Sequence, residues 1–201
     1  LADYIAVSGR DDLKFHYVHS ADQDKRLDPS VSNLIDVFVL TKGYDIQFRK
    51  YLRNAGEKPL PPSSDQLFLD FNKNLVDIKS VSDEIIYNPV KYKIIFGSKA
   101  DSELQATFKI VKNPESVVND NDIKSQCLTA ITEFFALDNW NFGDTFYFSE
   151  LTAYVMKELS PNLVSFVVVP NNVNTVFGSL FEVKAEADEL FISGVEITDI
   201  E

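Results

Sequence analysis

The side chains with the most chemical potential in this sequence are two histidines and one cysteine. His16 and His19 are three residues apart, and an odd spacing in a β-strand places two side chains on opposite faces. They therefore share no metal ion unless the strand ends between them, and we expect surface or strand-edge histidines. Cys127 lies on the apolar face of a predicted helix, which favours core packing, since reactive thiolates need exposed, electropositive surroundings.

Two closely spaced aspartates, Asp120 and Asp122, resemble the opening of a calcium-binding loop. The glycine and the distal glutamate that complete such a loop are missing. Ser125 stands where the glycine is required, and Ile131 stands where the glutamate is required. Capping of a helix by one of the two aspartates is the preferred interpretation. A hydrolase with two carboxylates in a cleft stays open as an alternative, because the separation of carboxylates in space decides it.

No phosphate-binding glycine loop occurs among the seven glycines, and no Cys/His spacing indicates structural zinc. The sequence therefore predicts no catalytic residues, no metal and no cofactor. The remaining unusual feature is a run of five aromatics within the nine residues 140–148. Three roles are open for it: filling the core, contacting another protein, or stacking on a sugar or small molecule. Four of its members are the candidate interface residues: Trp140, Phe142, Phe146 and Tyr147.

Composition limits the possible partners. The 201 residues are 45% hydrophobic, enough for a substantial core. A net charge of −12 argues against nucleic acid and indicates a mutually repelling surface, with a basic partner protein as the alternative. The apolar runs are far below the ~20 residues of a spanning helix, so no membrane role is expected. One cysteine and no signal sequence indicate an intracellular product, and a start at Leu1 indicates a piece of a longer protein.

The elements that must position these residues follow from hydrophobic periodicity. Helical spacing predicts helices over 44–54, from Ser63 or Ser64 to 78, from Asp120 or Asp122 to 135, and from a Ser149 cap to 159. Period-two or short apolar patterns predict strands at 13–17, 34–41, 90–96, 104–111, 164–169, 180–185, 190–192 and 195–197. The strands at 90–96 and 104–111 are expected to form an antiparallel hairpin with a long loop.

This order of elements predicts an α+β fold, with antiparallel or mixed sheets and helices packed on one face. We expect residues 1–32 to be a linker-like segment with one strand. Residues 33–113 are predicted to form a first α+β unit and residues 114–201 a second one, either as separate domains or around a shared sheet.

Four stretches carry a resemblance to a known family. They are DPSVSNLIDVFVLT (28–41), VKYKIIFGSKADSELQATFKIVK (90–112), FFALDNWNFGDTFYFSELTAYV (134–155) and VFGSLFEVKAEADELFISGVEITDIE (176–201). In that order they resemble the C-terminal region of the baseplate wedge protein of T4-like contractile-tail phages, which is related to baseplate J-like proteins. The resemblance covers roughly 28–201, contains no catalytic motif, and is most distinctive at DNWNFGDTFYFSEL.

The resemblance implies a mechanical role. It implies a structural virion protein of the tail baseplate, made in the host cytoplasm, that is not an enzyme and uses neither cofactor nor small-molecule substrate. It further implies that the wedge subunit associates with itself as a dimer and with other wedge proteins, linking the hub to the contractile sheath. The alternative is a virion module that binds a receptor or glycan through the aromatic turn.

Overall fold

The structure is a computed structural model that describes residues 13–17, 34–76, 84–172 and 182–201. Its contacts divide the chain into two compact units, the first ending at Lys91 and the second running from Tyr92 to Glu201. We call these unit 1 and unit 2. None of the described helices is both long and apolar enough to cross a bilayer.

Unit 1 contains a three-stranded mixed sheet and two helices. Strand β1 (Leu13–Tyr17) pairs antiparallel with β2 (Leu34–Thr41), which pairs parallel with β3 (Glu84–Pro89). Helices α1 (Lys42–Leu52) and α2 (Ser64–Val76) lie between β2 and β3 in the chain, as the crossover between parallel strands requires. The core gathers apolar side chains from β2, α2 and β3: Val37, Val39, Leu67, Phe71 and Tyr87.

Side-chain caps begin both helices of unit 1. The Thr41 hydroxyl accepts a hydrogen bond from the Tyr44 amide, and the Ser63 hydroxyl accepts one from the Gln66 amide at 3.2 Å. These bonds satisfy amides that have no partner within the helix. The predicted cap at Ser63 is thereby confirmed.

The described part of unit 2 contains three strand pairs and two α-helices. Strand β4 (Lys91–Ile95), whose first residue is the last of unit 1, pairs with β9 (Glu189–Ser193). Strand β5 (Ala106–Lys112) pairs antiparallel with β7 (Leu163–Pro170), and β6 (Thr145–Tyr147) with β8 (Glu182–Lys184). Helices α3 (Asp120–Phe134) and α4 (Phe148–Glu158) pack against each other, and α4 also packs on β7.

The last two residues of the sequence line the second edge of β5. Ile200 forms a parallel bridge to Phe108. The Glu201 amide donates to the Phe108 carbonyl at 2.8 Å, and the Ile110 amide donates to the Glu201 carbonyl at 2.9 Å. Strand β5 is therefore hydrogen-bonded on both sides.

The predicted α+β class is confirmed, with a mixed sheet in unit 1 and helices packed on sheets. The predicted hairpin between 90–96 and 104–111 is wrong, because β4 pairs with β9 and β5 with β7. Those pairings also put β5 in unit 2, so the division between the compact units falls after Lys91, whereas the sequence predicted it after residue 113. Most of the predicted segment 1–32 lies outside the described residues, apart from β1.

Three local predictions also need correction. The α3 cap is Asn119, whose side chain accepts from the Asp122 amide at 2.8 Å, one residue before the predicted Asp120. Helix α4 begins at Phe148 without a side-chain cap, so Ser149 lies inside its first turn. The predicted strand at 195–197 is replaced by a 3-10 turn (Ile197–Asp199), in which the Asp199 carboxylate accepts from the Glu196 amide.

Candidate functional site

The aromatic run lies in unit 2, where the chain passes from α3 to α4. Trp140 follows a 3-10 turn (Leu137–Asn139), and Gly143 then reverses the chain with a φ of +74°. Phe146 and Tyr147 are adjacent in β6, so their side chains point to opposite faces. This local geometry decides which aromatic rings reach solvent.

Trp140 is half-buried and packed among other rings. Its indole stacks on Phe135 with a centroid separation of 5.6 Å and an interplanar angle of 16°. Phe191 meets it edge-on at 5.0 Å. The indole N–H donates to the Phe134 carbonyl at 2.8 Å. A sugar platform needs an open aromatic face and a free polar edge, and both are largely used here by the protein itself.

Phe146 is the centre of the core of unit 2. Its side chain is 0% exposed, and its ring lies within 5.1 to 6.3 Å of six other rings, namely Phe96, Phe134, Phe135, Trp140, Phe148 and Phe191. Such a ring cannot touch a partner while the unit is folded. Phe146 therefore belongs to the core and not to an interface.

The other predicted interface residues keep some accessible surface. Tyr147 is 40% exposed, whereas Trp140 and Phe142 are half-buried. The structure thus gathers Trp140 and Phe146 into one packed cluster and points Tyr147 away from it. Of these four residues, only Tyr147 presents an open side chain of the kind that anchors protein contacts.

The sequence did not predict a second exposed surface, which lies on β5 and β7. On the antiparallel pair β5 and β7, three valines are about half exposed to solvent: Val111 (54%), Val164 (55%) and Val167 (49%). The register places Val111 opposite Ser165 and therefore on the same face as Val167, and Val164 lies at the irregularity of the pairing next to them. We call these three residues the valine patch. The signal was present in β7, whose run LVSFVVVP is nearly continuous in apolar residues, a pattern typical of strands covered on both faces.

The predicted chemical residues form no reactive site in the described part of the chain. Asp120 and Asp122 lie in the first turn of α3, and no group of three or more metal-ligating side chains occurs among the described residues. The backbone of His16 lies in β1, and His19 lies outside the described residues. The predicted cap by one of the two aspartates is wrong, because Asn119 is the cap and both aspartates lie within the first turn.

An open groove between α3 and α4 combines carboxylates with a cavity. It has a volume of about 310 Å³ and is lined by Ser125, Gln126, Thr129, Ala130, Glu133, Glu158 and Leu159. Burial, followed by the charges of Glu158 and Glu133, raises the pKa of the nearby Tyr154 phenol. The groove offers carboxylates at an open surface, and a hydrolase would need one of them held as an acid in an enclosed site.

Cys127 is fully buried on α3, and burial raises the pKa of its thiol to about 11. Because the thiolate is the reactive form, we expect native Cys127 to react with iodoacetamide at pH 8 at least ~100-fold more slowly than a free thiol. Mass spectrometry of timed samples measures this rate. Fast modification of the folded protein would contradict the core assignment, and unfolding in guanidinium should release one reactive thiol per chain.

The same burial makes stability depend on pH. The folded pKa lies above the ordinary value of 9.0, so the contribution of the buried thiol is complete below pH 9. It falls as pH rises towards 11, because the unfolded state ionises first. The Cys127→Ala variant should lose this part of the pH dependence of stability. It should keep the part that comes from lysines and tyrosines.

No family model matches this chain, and no curated protein matches it with significance.

Proposed function

We propose that this chain is a structural subunit of a phage tail baseplate wedge. In this role it associates with itself and with other wedge proteins, and the assembled wedges link the central hub to the contractile sheath. It acts mechanically, without a cofactor or substrate. It is made in the host cytoplasm and incorporated into the virion.

The resemblance supports this proposal because its most distinctive residues build the core of unit 2 and do not form a catalytic motif. The most distinctive stretch, DNWNFGDTFYFSEL, supplies Trp140, Phe146 and Phe148 to the aromatic core of unit 2. A stretch that builds a core is under the constraint of close packing. This accounts for a long resemblance without a catalytic motif.

The observation that carries the proposal is the valine patch. Val111, Val164 and Val167 leave β-branched apolar surface open on one two-stranded sheet. Burying apolar surface contributes roughly 25 cal/mol per Å², so covering this sheet with protein is favourable. An assembly subunit needs such an uncharged surface, because a net charge of −12 makes the acidic surfaces of neighbouring copies repel each other.

Immunogold electron microscopy tests the proposal directly. We expect an antibody raised against this chain to label contractile-tailed particles, produced by the cells that encode it, at the end of the tail that carries the baseplate. Labelling should be absent from particles made without the gene, which should also lack complete tails. Intact, fully assembled tails without this gene would contradict the proposal.

A further inference from the structure

The outer side of helix α1 in unit 1 is basic. The helical repeat places four exposed side chains on this side, the last of them at the C-cap: Lys42, Ile46, Lys50 and Arg53. Ile46 is 45% exposed and lies between the cations. The opposite side of the helix carries the buried rings of Tyr44 and Phe48. We call the four exposed residues the basic face.

The charge of the basic face contrasts with the rest of the chain. Residues 42–58 contain five of the 19 basic residues of the chain and only two of its 31 acidic ones. The remainder is therefore more acidic than the net charge of −12 indicates. Lys42, Lys50 and Arg53 form no ion pair within the part of the chain that the structure describes. Their charges are available to a partner.

The stability of the helix explains only part of this arrangement. Cations at the C-terminal end of a helix interact favourably with its dipole, which suits Lys50 and Arg53. Lys42 is the first residue of α1, where the same dipole disfavours a positive charge. Gly43 follows it, although alanine stabilises a helix more than glycine does, and a Cβ built at Gly43 would meet no atom within 4 Å. The helix gains nothing from either residue, and together they leave its outer side basic and open.

We propose that the basic face binds an acidic, amphipathic segment of a different protein. Carboxylates of that segment pair with Lys42, Lys50 and Arg53, and an apolar side chain of the segment covers Ile46. Gly43 lies one helical turn before Ile46, so the backbone of the segment comes close to the helix there. The inference states the chemistry of one partner, and it rests on the proposed function only in that a wedge subunit binds proteins of other kinds.

Charge and size select a short segment of another protein as the occupant. The basic face is about 16 Å long at the rise of an α-helix, and charges further away than about 8 Å are largely screened at physiological ionic strength. A segment of this length therefore interacts mainly with the basic face. DNA and anionic membranes extend far beyond it and meet the acidic remainder of the chain, and a second copy adds repulsion between two net charges of −12.

Photo-cross-linking of the full chain, in the cells that encode it, tests the inference. The photoreactive residue p-benzoylphenylalanine takes the place of Ile46, and the matched control carries it in place of Ile197, which is 44% exposed in unit 2. We expect roughly tenfold more product from position 46, joined to an acidic peptide of another protein. Mass spectrometry of the product identifies that peptide. No product, equal amounts from both positions, or a product with a neutral or basic peptide, nucleic acid, lipid or a second copy of this chain would overturn the inference.

Charge reversal shows whether the cations hold the partner. Adding Lys50→Glu and Arg53→Glu to the chain that carries the photoreactive residue should lower the amount of product roughly tenfold, because like charges then face each other. The matched control, Lys73→Glu with Lys157→Glu, changes the net charge equally at exposed lysines in the last turns of α2 and α4. It should keep the product within about twofold. Equal effects of the two variants would overturn the inference.

Gly43→Gln supplies a second variant, which keeps every charge and suits a helix better than glycine. Its side chain occupies the open space beside Ile46, so the amount of product should fall although the fold is at least as stable. Circular dichroism during heating checks the fold of all variants. An unchanged amount of product from a folded Gly43→Gln chain would overturn the close approach at this position.

The inference and the proposed function fail separately. If the antibody labels the baseplate and position 46 captures no acidic peptide, the proposed function stands and the inference is overturned. If position 46 captures an acidic peptide of another protein and the antibody labels no tails, the inference stands and the proposed function is overturned.

Discussion

Replacing Phe146 by alanine is expected to lower the free energy of unfolding of unit 2 by about 3–5 kcal/mol. The side chain is 0% exposed and lies among six aromatic rings. Removing the ring therefore loses its burial and leaves a cavity that rigid neighbours cannot fill. Urea unfolding followed by tryptophan fluorescence measures this effect in unit 2, because Trp140 is the only tryptophan of the chain.

The matched control is Tyr147→Ala, one residue further along the same strand. Tyr147 is 40% exposed, so its loss should cost less than about 1 kcal/mol. The comparison also separates core from interface, since the Phe146 effect should be the same at every protein concentration. Equal losses for the two variants, or a Phe146→Ala effect that vanishes on dilution, would contradict the placement of Phe146 in the core.

The helices were the most predictable part of the fold because their signals are local. Helical spacing of five residues predicted the inner face of α3: Ile123, Cys127, Ala130, Ile131 and Phe134. The first four are buried and Phe134 is half-buried. The predicted cap of α3 was one residue too late in the sequence. Asn119 and Asp120 are adjacent, and both residue types cap helices well. Local composition cannot decide between neighbours with similar chemistry.

The pairing of strands was the least predictable part. Alternation along β4 and β5 shows which side chains face inward, but it contains no information on the strand that lies alongside. Both strands pair with segments far along the chain, β9 and β7, instead of with each other. Strand β3 was not predicted, because the two adjacent apolar residues Ile85 and Ile86 break the period-two pattern. In the structure both are half-buried.

The candidate surface was predictable only in part for a related reason. The aromatic run was visible in the sequence, but the strand β6 within it was not predicted. Without that strand, Phe146 and Tyr147 could not be assigned to opposite faces. The valine patch depends on which strands pair, so it became visible only once β5 was placed between β7 and Glu201.

A second large loss of stability is expected from Gly97→Ala, where β4 ends beside the end of β9. Gly97 has a φ of +73°, and a Cβ built there would lie 1.8 Å from the Gly194 carbonyl oxygen. Backbone, unlike a flexible side chain, must move as a whole to relieve this clash. The left-handed conformation costs about 1–2 kcal/mol for alanine, and forced repacking adds about 1–3 kcal/mol.

Gly143→Ala is the control that isolates the clash. Its φ of +74° is nearly the same, but the nearest atom to an added Cβ, the Cα of Ala187, is 3.5 Å away. It should therefore lose only the conformational part, about 1–2 kcal/mol, in the same unit and with the same Trp140 signal. A larger loss at Gly97 would show that the backbones around Gly97 and Gly194 are in contact. Equal losses would mean that they are further apart than the structure places them.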